Sequence, residues 1–142
     1  SALGFENVSD FSEIGETAMI RVAEINETDS HSLSKLVADK LSTGVAVADG
    51  KKAIKTVALC GGAGGDFCFE VAKKCDAFIT GEAKHHEFLA AKEMGLTLIA
   101  AGHFETENPV VTVLAKKLKE KFNCEVEIIP QKSPVKYYSK ED

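Results

Sequence analysis

"AFITGEAKHHEFLAAKEMGLTLIAAGHFETENP", residues 77–109, carries in one run the pattern that sets the fold. "AFIT" (77–80) is apolar, Gly81 and Glu82 interrupt it, and residues 83–94 read as a helix closed by Gly95, the usual residue just past a helix end. "LTLIAA" (96–101) is apolar again and stops at Gly102-His103. Asn108 and Pro109 then read as the N-cap and first position of another helix. Short strands that are apolar along their whole length are buried on both faces, as parallel strands covered by helices are.

The alternation extends in both directions. Upstream, the strand "KTVALC" (55–60) meets a glycine-rich loop and a helix over 66–75. In that helix Cys68, Val71, Ala72 and Cys75 recur at i, i+3, i+4 and i+7, so two of the thiols read as small core residues. Earlier still come a strand over 17–25, a helix over 30–42 with Leu33, Leu36, Val37 and Leu41 on one face, and a short strand in "GVAVAD" (44–49). Downstream, Val111, Leu114, Leu118 and Phe122 fall at helical spacing, which makes the lysines of "KKLKEK" (116–121) the wet face of an amphipathic helix. "CEVEIIP" (124–130) reads as a last strand. The fold class is α/β, a three-layer α/β/α arrangement with a mostly parallel sheet. One lobe is expected over 1–142, with 1–16 and 134–142 poorly ordered.

The net charge of −5 repels phosphate backbones, so bulk nucleic-acid binding is not expected. No apolar stretch approaches the ~18–20 residues of a membrane span, and no signal peptide opens the sequence, so no membrane partner is expected. The four cysteines show neither CxxC nor zinc-ribbon spacing, which fits a reducing cytoplasm.

Parallel strands share a direction, and open α/β sheets place ligands at the edge where those strands end. Three loops gather there: "GGAGGD" (61–66), "TGEAKHHE" (80–87) and "GHFETE" (102–107). Gly61, Gly62, Gly64 and Gly65 fit neither GxGxxG nor a P-loop. They leave either backbone N–H groups that could hold an anion or a close approach of two backbones. In the second loop Glu82, Lys84 and His86, with Gly61 and Gly62 of the first, are candidates for substrate contact or for support behind the ligands. The spacing of Glu82 and His86 would let them meet on one helical face. In the third, His103 and Glu107 offer an imidazole and a carboxylate, donors that Zn²⁺, Mn²⁺ or Fe²⁺ accept. Two donors fall short of the three plus water of a catalytic zinc.

"VALCGGAGGD", "AFITGEAKHHEF" and "GLTLIAAGHFETEN", in that order, resemble the C-terminal half of the NIF-three-like dinuclear-metal-centre proteins, the GTP cyclohydrolase 1 type 2 homologues, over about residues 11–130. The resemblance implies that His103 and Glu107 serve a two-metal centre and that Glu105 between them is no ligand. The family's Thr-Gly-Asp/Glu and Lys-aromatic-His map onto Thr80, Gly81, Glu82, Lys84, His85 and His86. His85 stands where the aromatic is usual, which leaves His86 the better candidate for a pocket role. The family's other ligands, a His-His before a proline and an aspartate, belong to its N-terminal half, and this sequence has no His-His-Pro.

The resemblance therefore implies the C-terminal lobe of a longer two-lobe protein, holding half of a metal site and inactive by itself. Two divalent ions (Zn, Mn or Fe) are expected in the complete protein, and this lobe alone need hold none. A small-molecule substrate, with nucleotides among the candidates, and a toroidal homo-oligomer, a hexamer in the family, are the implied partners. The implied function is a metal-dependent hydrolase of open substrate. The alternative is a non-enzymatic metal-binding or regulatory scaffold acting through oligomerisation.

Overall fold

A computed structural model of the chain describes residues 2–11 and 19–136. The chain divides into two compact units, Ser1–Glu107 and Asn108–Asp142, each taken by itself below.

The first unit is an α/β domain with a six-stranded sheet. Its strands are β1 (Ser9–Asp10), β2 (Arg21–Thr28), β3 (Ala46–Ala48), β4 (Ile54–Cys60), β5 (Ala77–Thr80) and β6 (Thr97–Ala100), in the spatial order β1-β2-β4-β5-β6-β3. The sheet is parallel at its centre, where β4 pairs β5 and β5 pairs β6, with Leu59 beside Ile79 and Ile79 beside Ile99. Its flanks pair antiparallel: β2 on β4, β1 on β2, and β3 on β6. The mostly parallel reading thus describes the three core strands, each connected to the next through a helical crossover; β2 and β3 flank them in the opposite direction, and β1 forms the edge beyond β2. Sequence shows which strands are fully apolar, but not the direction in which a half-exposed neighbour such as β2 adds to the ladder.

Alternation along the strands sorts side chains to two cores. Ile54, Val57, Ala77, Ile79 and Ile99 meet Leu33 and Val37 of α1 (Ser30–Leu41) on one face. Ala58, Phe78 and Leu98 meet Cys68 and Val71 of α2 (Cys68–Val71), and Ala91 of α3 (His85–Glu93), on the other. These are the three layers. The Asp29 carboxylate caps α1, accepting from the Ser32 N–H at 2.8 Å, and Ser42 ends the helix in the left-handed conformation.

Several boundaries differ from the sequence reading. The helix expected over 66–75 is a 3₁₀ turn (Gly65–Phe67) followed by one turn of α2, because a four-glycine loop leads into it; its stripe of Cys68, Val71 and Cys75 is nevertheless buried. The expected poor order of 1–16 does not describe residues 2–11, where Leu3 and Phe11 are buried and β1 pairs β2; residues 1 and 12–16 lie outside the described ones. Residues 17 and 18 of the expected strand over 17–25, and 137–142 of the expected loose tail, also lie outside them.

In the second unit, α5 (Pro109–Phe122) is the amphipathic helix expected, ended by Asn123 at φ 46°. Asn108 and Pro109 stand at the N-cap and first helical positions expected, but Asn108 has a helical backbone (φ −54°, ψ −33°) and its side chain bonds no N–H. "CEVEIIP" forms no strand among the described residues, and only Val126 in it is even half-buried. Alternation makes a strand only where a neighbouring ladder accepts it. Among the described residues, no helix is long and apolar enough to cross a membrane.

Asp76 ties the start of the central sheet together. One carboxylate oxygen accepts from the N–H of Lys55 (3.0 Å), the N–H of Thr56 (3.0 Å) and the Thr56 hydroxyl (2.9 Å). Burial works against ionisation here, but these hydrogen bonds and Lys52 outweigh it and hold the carboxyl below its ordinary value. A depressed folded-state pKa contributes stability above the unfolded value of roughly 3.9, lost as pH falls through the folded one. Asp76→Ala should therefore cost about 2 kcal/mol at pH 7, in the range of hydrogen bonds to a charged group. Urea unfolding at pH 7 and below pH 3 checks this: the wild type should lose stability on acidification, and the mutant should lose less.

Candidate metal centre

The three loops leaving β4, β5 and β6 meet at one edge, and backbone bonds fix their order. The Ala101 N–H donates to Thr80 C=O and the Gly102 N–H to Gly81 C=O, both at 2.9 Å, so the β5–β6 ladder continues past the strands. Gly102 then turns the chain at φ +87°, a conformation that L side chains rarely adopt. The helix α4 (His103–Glu107) follows at once.

Four residues apart on this turn, His103 and Glu107 share a face. Nε2 of His103 lies 3.3 Å from Oε1 of Glu107, and Nδ1 lies 3.3 Å from Oε2 of Glu82. The ring thus stands between two carboxylates, with all three side chains about half exposed. The hydrogen bond to Glu82 raises the His103 pKa; slight desolvation opposes it, and the Glu107 charge adds to it. Glu82 reaches this place because its backbone N–H, with that of Gly81, donates to Gly62 C=O at 3.0 and 2.9 Å. The helix-face pairing of Glu82 with His86 does not occur, since α3 begins only at His85.

Gly62 is the hub. Its carbonyl also accepts the Thr80 hydroxyl at 3.2 Å, and its N–H donates to the Thr106 hydroxyl at 3.1 Å. It sits at φ +69°, and a Cβ there would fall 2.4 Å from Glu107 Oε1 and 3.3 Å from His103 Nε2. Gly61 packs on the Thr106 carbonyl. Of the two roles open to the glycine loop, close backbone approach is the one this geometry displays. The Gly62 and Gly64 N–H groups are occupied by Thr106 and by Thr80 and Gly62.

Lys84 and His86 stand apart from this group. Both face Glu87, at 3.6 and 3.9 Å from its Oε1. Glu87 is nearly fully buried and accepts the Lys84 N–H at 2.6 Å, holding the start of α3. It also shares with Lys84, Glu82 and Asp66 the lining of a cleft of about 490 Å³. His85 is exposed. At Cys60, burial first and then the charges of Asp66 and Glu107 raise the thiol pKa, which disfavours the reactive thiolate.

The donor chemistry fits a divalent ion. His103 Nε2 and Glu107 Oε1, 3.3 Å apart, are an imidazole nitrogen and a carboxylate oxygen that could both bind such an ion. A carboxylate on the far ring nitrogen is the usual device for aiming a ligating imidazole, and Glu82 is so placed. Among the described residues no group of three or more His, Cys, Asp or Glu side chains stands ready to hold an ion.

A sequence profile of Duf34/NIF3 (NGG1p interacting factor 3) matches residues 1–134. The chain belongs to the Duf34/NIF3 family. NIF3 relatives called GTP cyclohydrolase 1 type 2 homolog include one from Pyrococcus abyssi, 33% identical over 122 residues (82% of this chain, 49% of the relative). Another, from Campylobacter jejuni, is 40% identical over 89 residues (63% and 36%). Among solved structures, protein ybgI, described as of unknown function, superposes with a TM-score of 0.81 at 28% identity, covering 94% of this chain and 54% of that one. A protein from Thermus thermophilus shares the fold at a TM-score of 0.79 and 24% identity, over 94% and 53%. This NIF3 chain thus spans half or less of the length of the curated relatives named here.

Sequence reasoning assigned no contact to three residues of this NIF3 edge: Thr80, Thr106 and the buried Glu87. Thr106 carried a signal, since it lies four residues after the turn glycine Gly102, within back-bonding reach of its carbonyl.

Proposed function

We propose that this chain supplies one half of a dinuclear metal centre in a metal-dependent hydrolase-like protein. The carrying observation is the Glu82–His103–Glu107 array, with one ring nitrogen held by a carboxylate and the other beside a second carboxylate. The name of its relatives, GTP cyclohydrolase 1 type 2 homolog, agrees in class. His103 Nε2 and Glu107 Oε1 would hold the ion, while Glu82 keeps the imidazole aimed; the remaining ligands come from outside this chain. When bound, two such ions (Zn, Mn or Fe) supply Lewis-acid chemistry that activates water and polarises a scissile bond.

A ligating imidazole nitrogen must be free of its proton, so metal uptake through His103 should weaken as pH falls. Asp66, Glu82 and Glu87 make the adjoining cleft net acidic against Lys84 alone, which draws cations toward the site and repels phosphate unless the ions are present. A small-molecule substrate, with nucleotides among the candidates, a homo-oligomeric assembly and a cytoplasmic location complete the reading.

The test is metal content followed by turnover. The complete protein, dialysed against Zn²⁺ or Mn²⁺, should retain about two ions per chain, as a two-metal hydrolase requires. It should then hydrolyse at least one member of a nucleotide and phosphoester panel above free-metal background. Absence of retained metal would overturn the metal reading; metal retained with no turnover would favour the scaffold acting through oligomerisation.

A further inference from the structure

The helix carrying both proposed ligands cannot hold itself in place. α4 has five residues, of which Phe104, Glu105 and Thr106 are half-buried and none is fully buried, and so short a segment has little helical stability of its own. With so little buried surface, a directional contact is needed beside packing to fix the 3.3 Å spacing between His103 Nε2 and Glu107 Oε1. One half-buried hydroxyl is placed to do so. Thr106 Oγ1 donates to the Gly102 carbonyl at 2.9 Å, one turn back, and accepts the Gly62 N–H at 3.1 Å from a loop 44 residues away.

The neighbouring glycines show how tight this junction is. A Cβ on Gly81 would fall 2.7 Å from Thr106 Oγ1 and 2.9 Å from His103 Cα. One on Gly62 would strike the Glu107 carboxylate. The glycine loop thus forms the wall against which Glu107 rests, and Thr106 fixes the distance between that wall and the helix.

Building on the metal-ligand reading above, we infer that Thr106 is a positioning residue: its hydroxyl clamps α4 to Gly62 and so presets the His103–Glu107 donor pair. It touches no metal itself. The hydroxyl, not the bulk of the side chain, carries the effect, since only an oxygen can take the Gly62 N–H and reach the Gly102 carbonyl together.

Co²⁺ titration of the complete protein, followed by its visible absorption, tests this. Thr106→Val keeps the shape and removes the hydroxyl. It should weaken Co²⁺ binding ~10–100-fold, the range seen when a supporting hydrogen bond behind a ligand is lost, and alter the absorption bands. Thr106→Ser keeps the hydroxyl and should restore both. A Thr106→Val protein with wild-type affinity and spectrum overturns the inference, as does Thr106→Ser failing as badly as valine. Should Thr106→Val not fold, Thr106→Ala removes the same hydroxyl without the branched bulk and is judged by the same outcomes. A wild-type protein that binds no Co²⁺ overturns the metal reading itself, a failure distinct from the other two.

Discussion

His103→Ala should strip metal from the complete protein while leaving its fold intact. The imidazole stands between Glu82 and Glu107, and its side chain is 46% exposed, so no core packing depends on it. Loss of a partner behind a metal ligand costs ~10–100-fold in affinity, and loss of the donor itself should exceed the upper figure. Equilibrium dialysis with Zn²⁺ should show the fall, and the thermal unfolding midpoint of the metal-free protein should not move. Glu107→Gln should weaken binding as well, since an amide carries no charge to the ion. Glu82→Gln should act more mildly, because it only loosens the ring. A His103→Ala protein that retains full metal content would remove His103 from the ligand set, whatever the relatives are called.

Gly62→Ala should damage the same site from the other side. Gly62 has φ +69°, which costs an L residue about 1–2 kcal/mol. The added Cβ would lie 2.4 Å from Glu107 Oε1, so the carboxylate must leave the place where it faces His103. The expected result is a stability loss of about 1–2 kcal/mol in urea unfolding, with metal affinity reduced ~100-fold. Gly44→Ala is the matched control, since a Cβ there meets nothing within 4 Å and no left-handed φ is needed. If both variants bind Zn²⁺ like the wild type, the glycine loop is not the cradle of Glu107.

How much of this was legible depended on the range of the interaction. Apolar runs such as "AFIT" and "LTLIAA" announce buried strands because burial on both faces leaves no room for polar residues. His103 and Glu107 were legible as two donors in one loop; that they face each other follows from α4, a helical turn where the sequence reads as loop. Glu82 was assigned the wrong neighbour. Its spacing to His86 suggested a helix, but α3 starts three residues later and the loop hands Glu82 to His103. "CEVEIIP" alternated like a strand and forms none, because a strand needs a ladder as well as a pattern.

By itself, the sequence determined the α/β alternation, the apolar faces of its helices and the presence of an imidazole and a carboxylate in one strand-end loop, all properties carried within a few residues of chain. Only the tertiary structure decided that β2 and β3 flank the central strands antiparallel, and that Gly62, from a different crossover, lies under Glu107. It alone also decided that the threonines at 80 and 106 bracket that glycine. A hydrogen bond spanning 44 residues leaves no periodic trace. Its geometry exists only once the strands have paired and brought their ends to a common edge.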